Sequence, residues 1–153
     1  MKWNLVHIPK TGGQSMEAAL GLPNQHETAR AIPRPRFAFV RHPYDRLVSA
    51  WYYAARKNNI ASGDITVAGL KKLLASEHII IMPMCFYLNA EMDFIGRFER
   101  INEDWKHISD VPLPHVNKSE RGPWQQHLDA EMRKIARDYY REDFVRFDYD
   151  PEG

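Results

Sequence analysis

The chain has 153 residues, 44% hydrophobic and 27% charged, with a net charge of +1, an ordinary composition for a soluble globular protein. The length predicts one domain over residues 1–153, with a single core that is small for an enzyme of two substrates. One cysteine, Cys85, excludes an intrachain disulfide and fits a reducing compartment, and no apolar run reaches membrane-spanning length.

Strands are expected near residues 3–8, 36–41 and 94–98, and helices near 14–21, 44–57, 66–76, 102–108 and 125–139. Strands alternating with helices predict an α/β fold, a parallel sheet flanked by helices. Trp3 to Ile8 is mostly apolar and leads into His7-Ile8-Pro9-Lys10-Thr11-Gly12-Gly13-Gln14-Ser15. Gly12 and Gly13 admit φ > 0 and close backbone approach to a ligand. The helix that follows offers its free N–H groups and partial positive charge to an anion. Lys10 adds a full charge, and Thr11 and Ser15 add hydroxyls. The plainer alternative is a strand–turn–helix with a solvated Lys10. The lysine precedes the glycines, so this is not a Walker A loop, and no strand ends in a Mg²⁺-holding aspartate.

Phe37-Ala38-Phe39-Val40 reads as a central strand with Arg41 at its carboxyl end, where open α/β sheets bind ligands. Pro43 suits the first turn of the next helix, whose Leu47, Val48, Trp51 and Ala54 recur at helical spacing. Ser49 lies about two turns into it. The alternative makes Arg41 and Arg46 surface partners of Asp45. Further on, Ile79 to Leu88 reads equally as strand or buried helix, Cys85 within it as a buried, inert thiol, and Leu128, Met132, Ile135, Ala136 and Tyr139 as a core-facing stripe. Trp51, Tyr52 and Tyr53 read as core and pocket wall, and His42 as fixing its turn. Through Lys57 there are nine Lys/Arg against three Asp/Glu; the totals of 21 and 20 leave twelve against seventeen for the rest. The basic third carries both turns, as a polyanionic ligand requires, and no nucleic-acid module signature or metal-ligand spacing accompanies it.

Pro9-Lys10-Thr11-Gly12-Gly13-Gln14-Ser15 resembles the 5′-phosphosulfate loop of sulfotransferases that use 3′-phosphoadenosine-5′-phosphosulfate (PAPS). Phe39 to Trp51 resembles their 3′-phosphate motif. The chain is most similar to carbohydrate-type members, including small bacterial ones, and the resemblance continues at Phe94 to Glu99, Leu113 to Ser119 and Tyr140 to Tyr149. It implies a P-loop-like sulfotransferase fold in minimal form, with PAPS as donor, 3′-phosphoadenosine-5′-phosphate (PAP) as product and no metal. The acceptor would be a hydroxyl, on a carbohydrate or glycoconjugate. On this reading Lys10 stabilises the leaving oxygen, Thr11, Gly12, Gly13, Gln14 and Ser15 hold the phosphosulfate, and Arg41 and Ser49 hold the 3′-phosphate. Asn117, Lys118 and Ser119 would close over the nucleotide, with a solvated turn as the alternative.

His26 is the expected general base, since it lies where related sulfotransferases carry a catalytic His or Glu and an unperturbed imidazole titrates near pH 6.5. Glu27 is the alternative base or the group that orients His26. Arg97 and Glu99 either face the site or form a structural pair. Anchored eukaryotic relatives sit in the Golgi, whereas this chain enters its first strand at once, so a cytoplasmic location is expected. Oligomeric state stays open. The competing readings are a nucleotide-binding module that keeps the PAPS/PAP site without catalysis, and a P-loop-type phosphotransferase dependent on Mg²⁺.

Overall fold

An apolar run without polar alternation belongs in the middle of a parallel sheet, where both faces are covered. The computed structural model of the chain, which describes residues 2–57, 63–114 and 121–153, has Arg36–Val40 there as strand β2, all five residues buried. Strands β1 (Asn4–Leu5) and β3 (Phe94–Arg97) pair with it on either side, both parallel, with Leu5 opposite Phe37 and Phe39 opposite Gly96. β1 is shorter than the apolar run suggested, although the Val6 N–H still donates to the Phe37 carbonyl at 2.8 Å.

In chain order the helices are α1 (Gly13–Leu20), α2 (Pro43–Lys57), α3 (Val67–Ala75), α4 (Met84–Tyr87), α5 (Ile101–Trp105), α6 (Ala130–Tyr139) and α7 (Arg141–Arg146). The α/β architecture expected of the alternating pattern is therefore present. The chain divides into two compact units, one of Met1–Arg41 with Met84–Lys118 and the other of His42–Pro83 with Ser119–Gly153.

The first unit holds the sheet. Leu5, Phe37 and Phe39 form a core with Met16 of α1 and Trp105 of α5, and Trp3, Ile101 and Ile108 pack around it. Burying each such side chain contributes roughly 1.5–3 kcal/mol. Asp93 sets where β2 and β3 begin: its Oδ2 accepts the Arg36 N–H at 2.9 Å, and its own N–H donates to the Arg36 carbonyl at 3.0 Å. The Arg34 guanidinium hydrogen-bonds the same carboxylate and, with the Arg36 N–H, holds its pKa down at about 2. The buried Arg36 side chain is satisfied by the carbonyls of Ala29, Ile32 and Glu91.

The second unit is helical. Trp51 of α2 is buried, with Nε1–H donating to the Gly63 carbonyl at 2.9 Å. Arg46, which the alternative reading put on the surface beside Asp45, is only 2% exposed and donates to the carbonyls of Ile80 and Met82. Asp45 pairs instead with Arg121 at 3.0 Å. The Tyr140 hydroxyl donates to the Ile81 carbonyl at 2.6 Å. Side chains thus satisfy the carbonyls of Ile80, Ile81 and Met82, and the ambiguous stretch is turns followed by α4 rather than a strand. Cys85 is half-buried. His42 does fix its turn: Nδ1 accepts the Tyr44 N–H at 3.3 Å, and Nε2–H donates to the Asp150 carbonyl at 3.1 Å.

Two boundaries differ from expectation. α5 ends at Trp105, with Lys106–Ile108 in turns, and α6 begins at Ala130 rather than near 125 because Asp129 caps it. Asp129 has extended backbone, and its Oδ1 accepts the Met132 N–H at 2.9 Å. Leu128, Met132 and Ala136 are the buried part of the predicted stripe, with Ile135 and Tyr139 half-buried; α7 was not anticipated. Asp129→Ala should lower stability by about 1 kcal/mol, the usual worth of such a cap, read as a fall in urea midpoint at unchanged slope.

Candidate functional site

The turn after β1 is built by two residues in the left-handed region, Lys10 at φ 67° and Gly12 at φ 88°. For Gly12 this is free, whereas a non-glycine residue held there costs roughly 1–2 kcal/mol. Such a turn curls the main chain into a concavity of the kind that gathers N–H groups around an anion, and it delivers the chain to the first turn of α1. Thr11, whose hydroxyl was expected on a ligand, is buried, and that hydroxyl donates to the Ile8 carbonyl at 2.7 Å. Its proton staples the turn to the segment that leads into it from β1. Gln14 is exposed and Ser15 half-buried in the first turn of α1.

The two glycines have different reasons. A Cβ on Gly12 would meet Ile101 Cδ1 at 2.9 Å and Phe98 Cδ2 at 3.5 Å. Gly13 has no positive φ, contrary to the expectation for the pair; a Cβ there would overlap the imidazole of His7 at Cδ2 and Nε2. The second glycine makes room for a histidine.

Arg41, the first residue beyond β2, donates from Nη1 to the Lys10 carbonyl at 3.0 Å. Its guanidinium carbon also lies 3.9 Å from the centroid of the Phe98 ring, just beyond β3. The ends of three parallel strands thus converge on one cation, and the two motifs legible in the sequence meet there.

Beneath the turn lies a buried polar cluster. His7 is 3% exposed, and its Nδ1 lies 3.0 Å from Glu17 Oε2, at an angle that leaves it without a hydrogen bond. Burial holds the His7 imidazole below its ordinary pKa and so neutral; the Glu17 carboxylate opposes that shift and His26 adds to it. The His26 ring centroid is 4.2 Å from that of His7, and His26 Nδ1 is 3.0 Å from the His7 carbonyl. Because a carbonyl only accepts, His26 Nδ1 carries the proton in this contact, which in the neutral ring leaves the lone pair on Nε2. The His7 carbonyl, not Glu27, therefore orients His26. Glu27 is exposed, and its N–H donates to Gln25 Oε1 at 2.7 Å.

Of the remaining predicted residues, Ser49 is half-buried on α2 in the second unit, and Lys10 is half-buried. Asn117, Lys118 and Ser119 lie outside the described residues. Arg97 closes β3, where its N–H donates to Asp104 Oδ2 at 2.8 Å, and Glu99 is exposed. Sequence reasoning missed Phe98, His7 and Glu17. Gly13 and Glu17 are four apart on α1, hence on one helical face, so a group beneath one reaches the other; that spacing was the available signal.

Comparison with known families gives a match to a model described as the sulfotransferase family, over residues 4–150. The chain belongs to the sulfotransferase family. The match runs through both compact units and every described strand and helix. No curated protein and no solved structure matches the chain. Sulfuryl transfer is the chemistry this membership supports. Among the described residues no helix is long and apolar enough to cross a membrane, and no group of three His, Cys, Asp or Glu is arranged to hold a metal ion. A cleft of about 460 Å³ lined by Lys2, Trp3, Leu20, Leu22 and Ile108 lies at the far end of α1 from the sulfotransferase turn and contains none of the predicted site residues.

Gly13→Ala should destabilise this sulfotransferase by about 1–3 kcal/mol, as overpacked cores do. In a His7→Ala background the same substitution should cost far less, because the obstructing ring is gone. A double-mutant cycle of urea midpoints measures the difference.

Proposed function

We propose that this sulfotransferase, acting as a single domain, moves a sulfuryl group from PAPS to a hydroxyl on a carbohydrate or glycoconjugate acceptor. The observation that carries the reading is Arg41, held between the Lys10 carbonyl and the Phe98 ring at the ends of three parallel strands. That arrangement fits a donor with anionic groups at both ends: the turn and α1 supply N–H groups, and Arg41 supplies a fixed cation. PAPS, when bound, supplies a sulfuryl group on a good leaving phosphate.

The chain's residues do the rest. Main-chain N–H groups from Thr11 to Ser15 hold the phosphosulfate, with Ser15 adding its hydroxyl, and Lys10 offsets the charge that develops on the bridging oxygen as the S–O bond breaks. Arg41 holds the 3′-phosphate together with Ser49, and Asn117, Lys118 and Ser119 complete the nucleotide site. His26 Nε2 takes the proton of the attacking hydroxyl, its tautomer being set by the His7 carbonyl. The acceptor oxygen gains the sulfuryl group, the bridging electron pair leaves with PAP, and the imidazolium later returns its proton to water. Glu27 serves as the alternative base. A cytoplasmic location is proposed from the lone Cys85.

Calorimetric titration with PAP in the absence of metal, beside ATP with Mg²⁺, tests the donor. Binding of PAP alone supports the sulfotransferase reading, and preference for Mg²⁺-ATP replaces it with phosphotransfer. Binding of PAP without transfer of label from PAPS to any saccharide of an acceptor panel favours a non-catalytic module. Arg41→Ala should weaken PAP by about 10- to 100-fold, a charged hydrogen bond being worth roughly 1.5–3 kcal/mol. Adenosine-5′-phosphosulfate, which lacks the 3′-phosphate, should lose much less; equal losses remove Arg41 from that role. His26→Ala should leave PAP affinity near wild type and cut turnover by about 10²- to 10⁴-fold, the usual contribution of a general base.

A further inference from the structure

A carboxylate buried under an anion-binding turn works against the ligand above it. Glu17 is only 5% exposed and belongs to the same helix whose first turn faces the proposed donor. Taking it out of water is costly, and its contact with the neutral His7 returns only part of that cost. Stability alone gives no reason for a Glu here; its connections do.

Glu17 Oε2 accepts the Gln25 N–H at 3.2 Å. The Gln25 side chain is used at both ends, Nε2 donating to the Leu5 carbonyl at 3.2 Å and Oε1 accepting the Glu27 N–H at 2.7 Å. Residues 25–27 are therefore strapped to β1 and α1 on both sides of His26. Glu17 also abuts His7, whose ring lies against Gly13 and His26 and whose carbonyl receives the His26 Nδ1–H.

We propose that Glu17 is a positioning residue which, through Gln25 and His7, holds His26 with its proton on Nδ1 and its lone pair on Nε2, ready for the acceptor's proton. The inference rests on His26 as the base of the proposed transfer. The donor turn and the base then share one support: Gly13 of the turn rests on the His7 ring, and His26 hangs from the His7 carbonyl.

The test is long-range ¹H–¹⁵N correlation spectroscopy of the histidine rings in the full chain, with and without saturating PAP. It compares wild type with Glu17→Ala and with Gln25→Ala, the latter removing the strap at a half-buried position should the buried substitution fail to fold. In wild type His26 should show a single Nδ1-protonated tautomer. In either variant that signature should give way to a mixture, while PAP affinity stays within about twofold, the scatter of uncoupled sites. An unchanged tautomer in the folded variants overturns the inference, as does a loss of PAP affinity parallel to the loss of tautomer, which would make Glu17 a support of the turn only. Failure of the functional reading shows elsewhere: wild type would not bind PAP, or His26→Ala would leave turnover unaltered. The second of these removes the positioning role as well.

Discussion

The guanidinium of Arg41 makes one site out of separate strand ends. Residues 10 and 41 are far apart in sequence, yet Nη1 of one donates to the carbonyl of the other, and the same group stacks on Phe98 from a third segment. An arginine held by a carbonyl and an aromatic face keeps its charge in place before any ligand arrives, so little reorganisation is left for the moment of binding. The contact also bears on the strain at Lys10. A lysine in the left-handed region survives only where its surroundings over-determine it, and the carbonyl of that residue is the one Arg41 engages.

The second constraint is steric. The ring of His7 lies where a side chain on Gly13 would be, so the first residue of α1 must be glycine for the strand and the helix to approach this closely. The approach carries an electrostatic cost, since it shuts away an imidazole nitrogen without a hydrogen bond beside a buried carboxylate. Proteins keep such arrangements where specificity or chemistry offsets the lost stability. Here the cluster spans the turn of the sulfotransferase and the loop that carries His26.

Membership of the sulfotransferase family joins the local geometry to a reaction class without naming a substrate. The described donor-type features, the turn after β1, Arg41 and His26, all belong to the unit that holds the sheet, and Ser49 belongs to the helical unit. The helical unit is internally well satisfied: Arg46, Tyr140, Trp51 and His42 each spend a donor on a backbone carbonyl. Polar side chains there hold irregular backbone in place. Arg46 is the clearest case, a cation within the second motif whose hydrogen bonds serve Ile80 and Met82.

Much of the fold was legible because its signals are local. Glycine and proline punctuate strand–turn–helix junctions, so β2, α1, α2 and α3 lie within a residue or so of expectation, with Pro43 at the start of α2. Short apolar runs carry no such punctuation, and Ile79 to Leu88 stayed ambiguous until buried side chains were seen to satisfy its carbonyls. By itself the sequence determined the alternation of elements, the two strand–turn–helix junctions and the family, since these depend on residue type and spacing along one segment. Only the tertiary structure decided that Gly13 answers to His7, that Thr11 braces its own turn, that Phe98 lies under Arg41 and that His26 hangs from the His7 carbonyl. Those facts depend on distances between segments remote in the chain, and hydrophobic periodicity says which face is buried but not which partner lies against it.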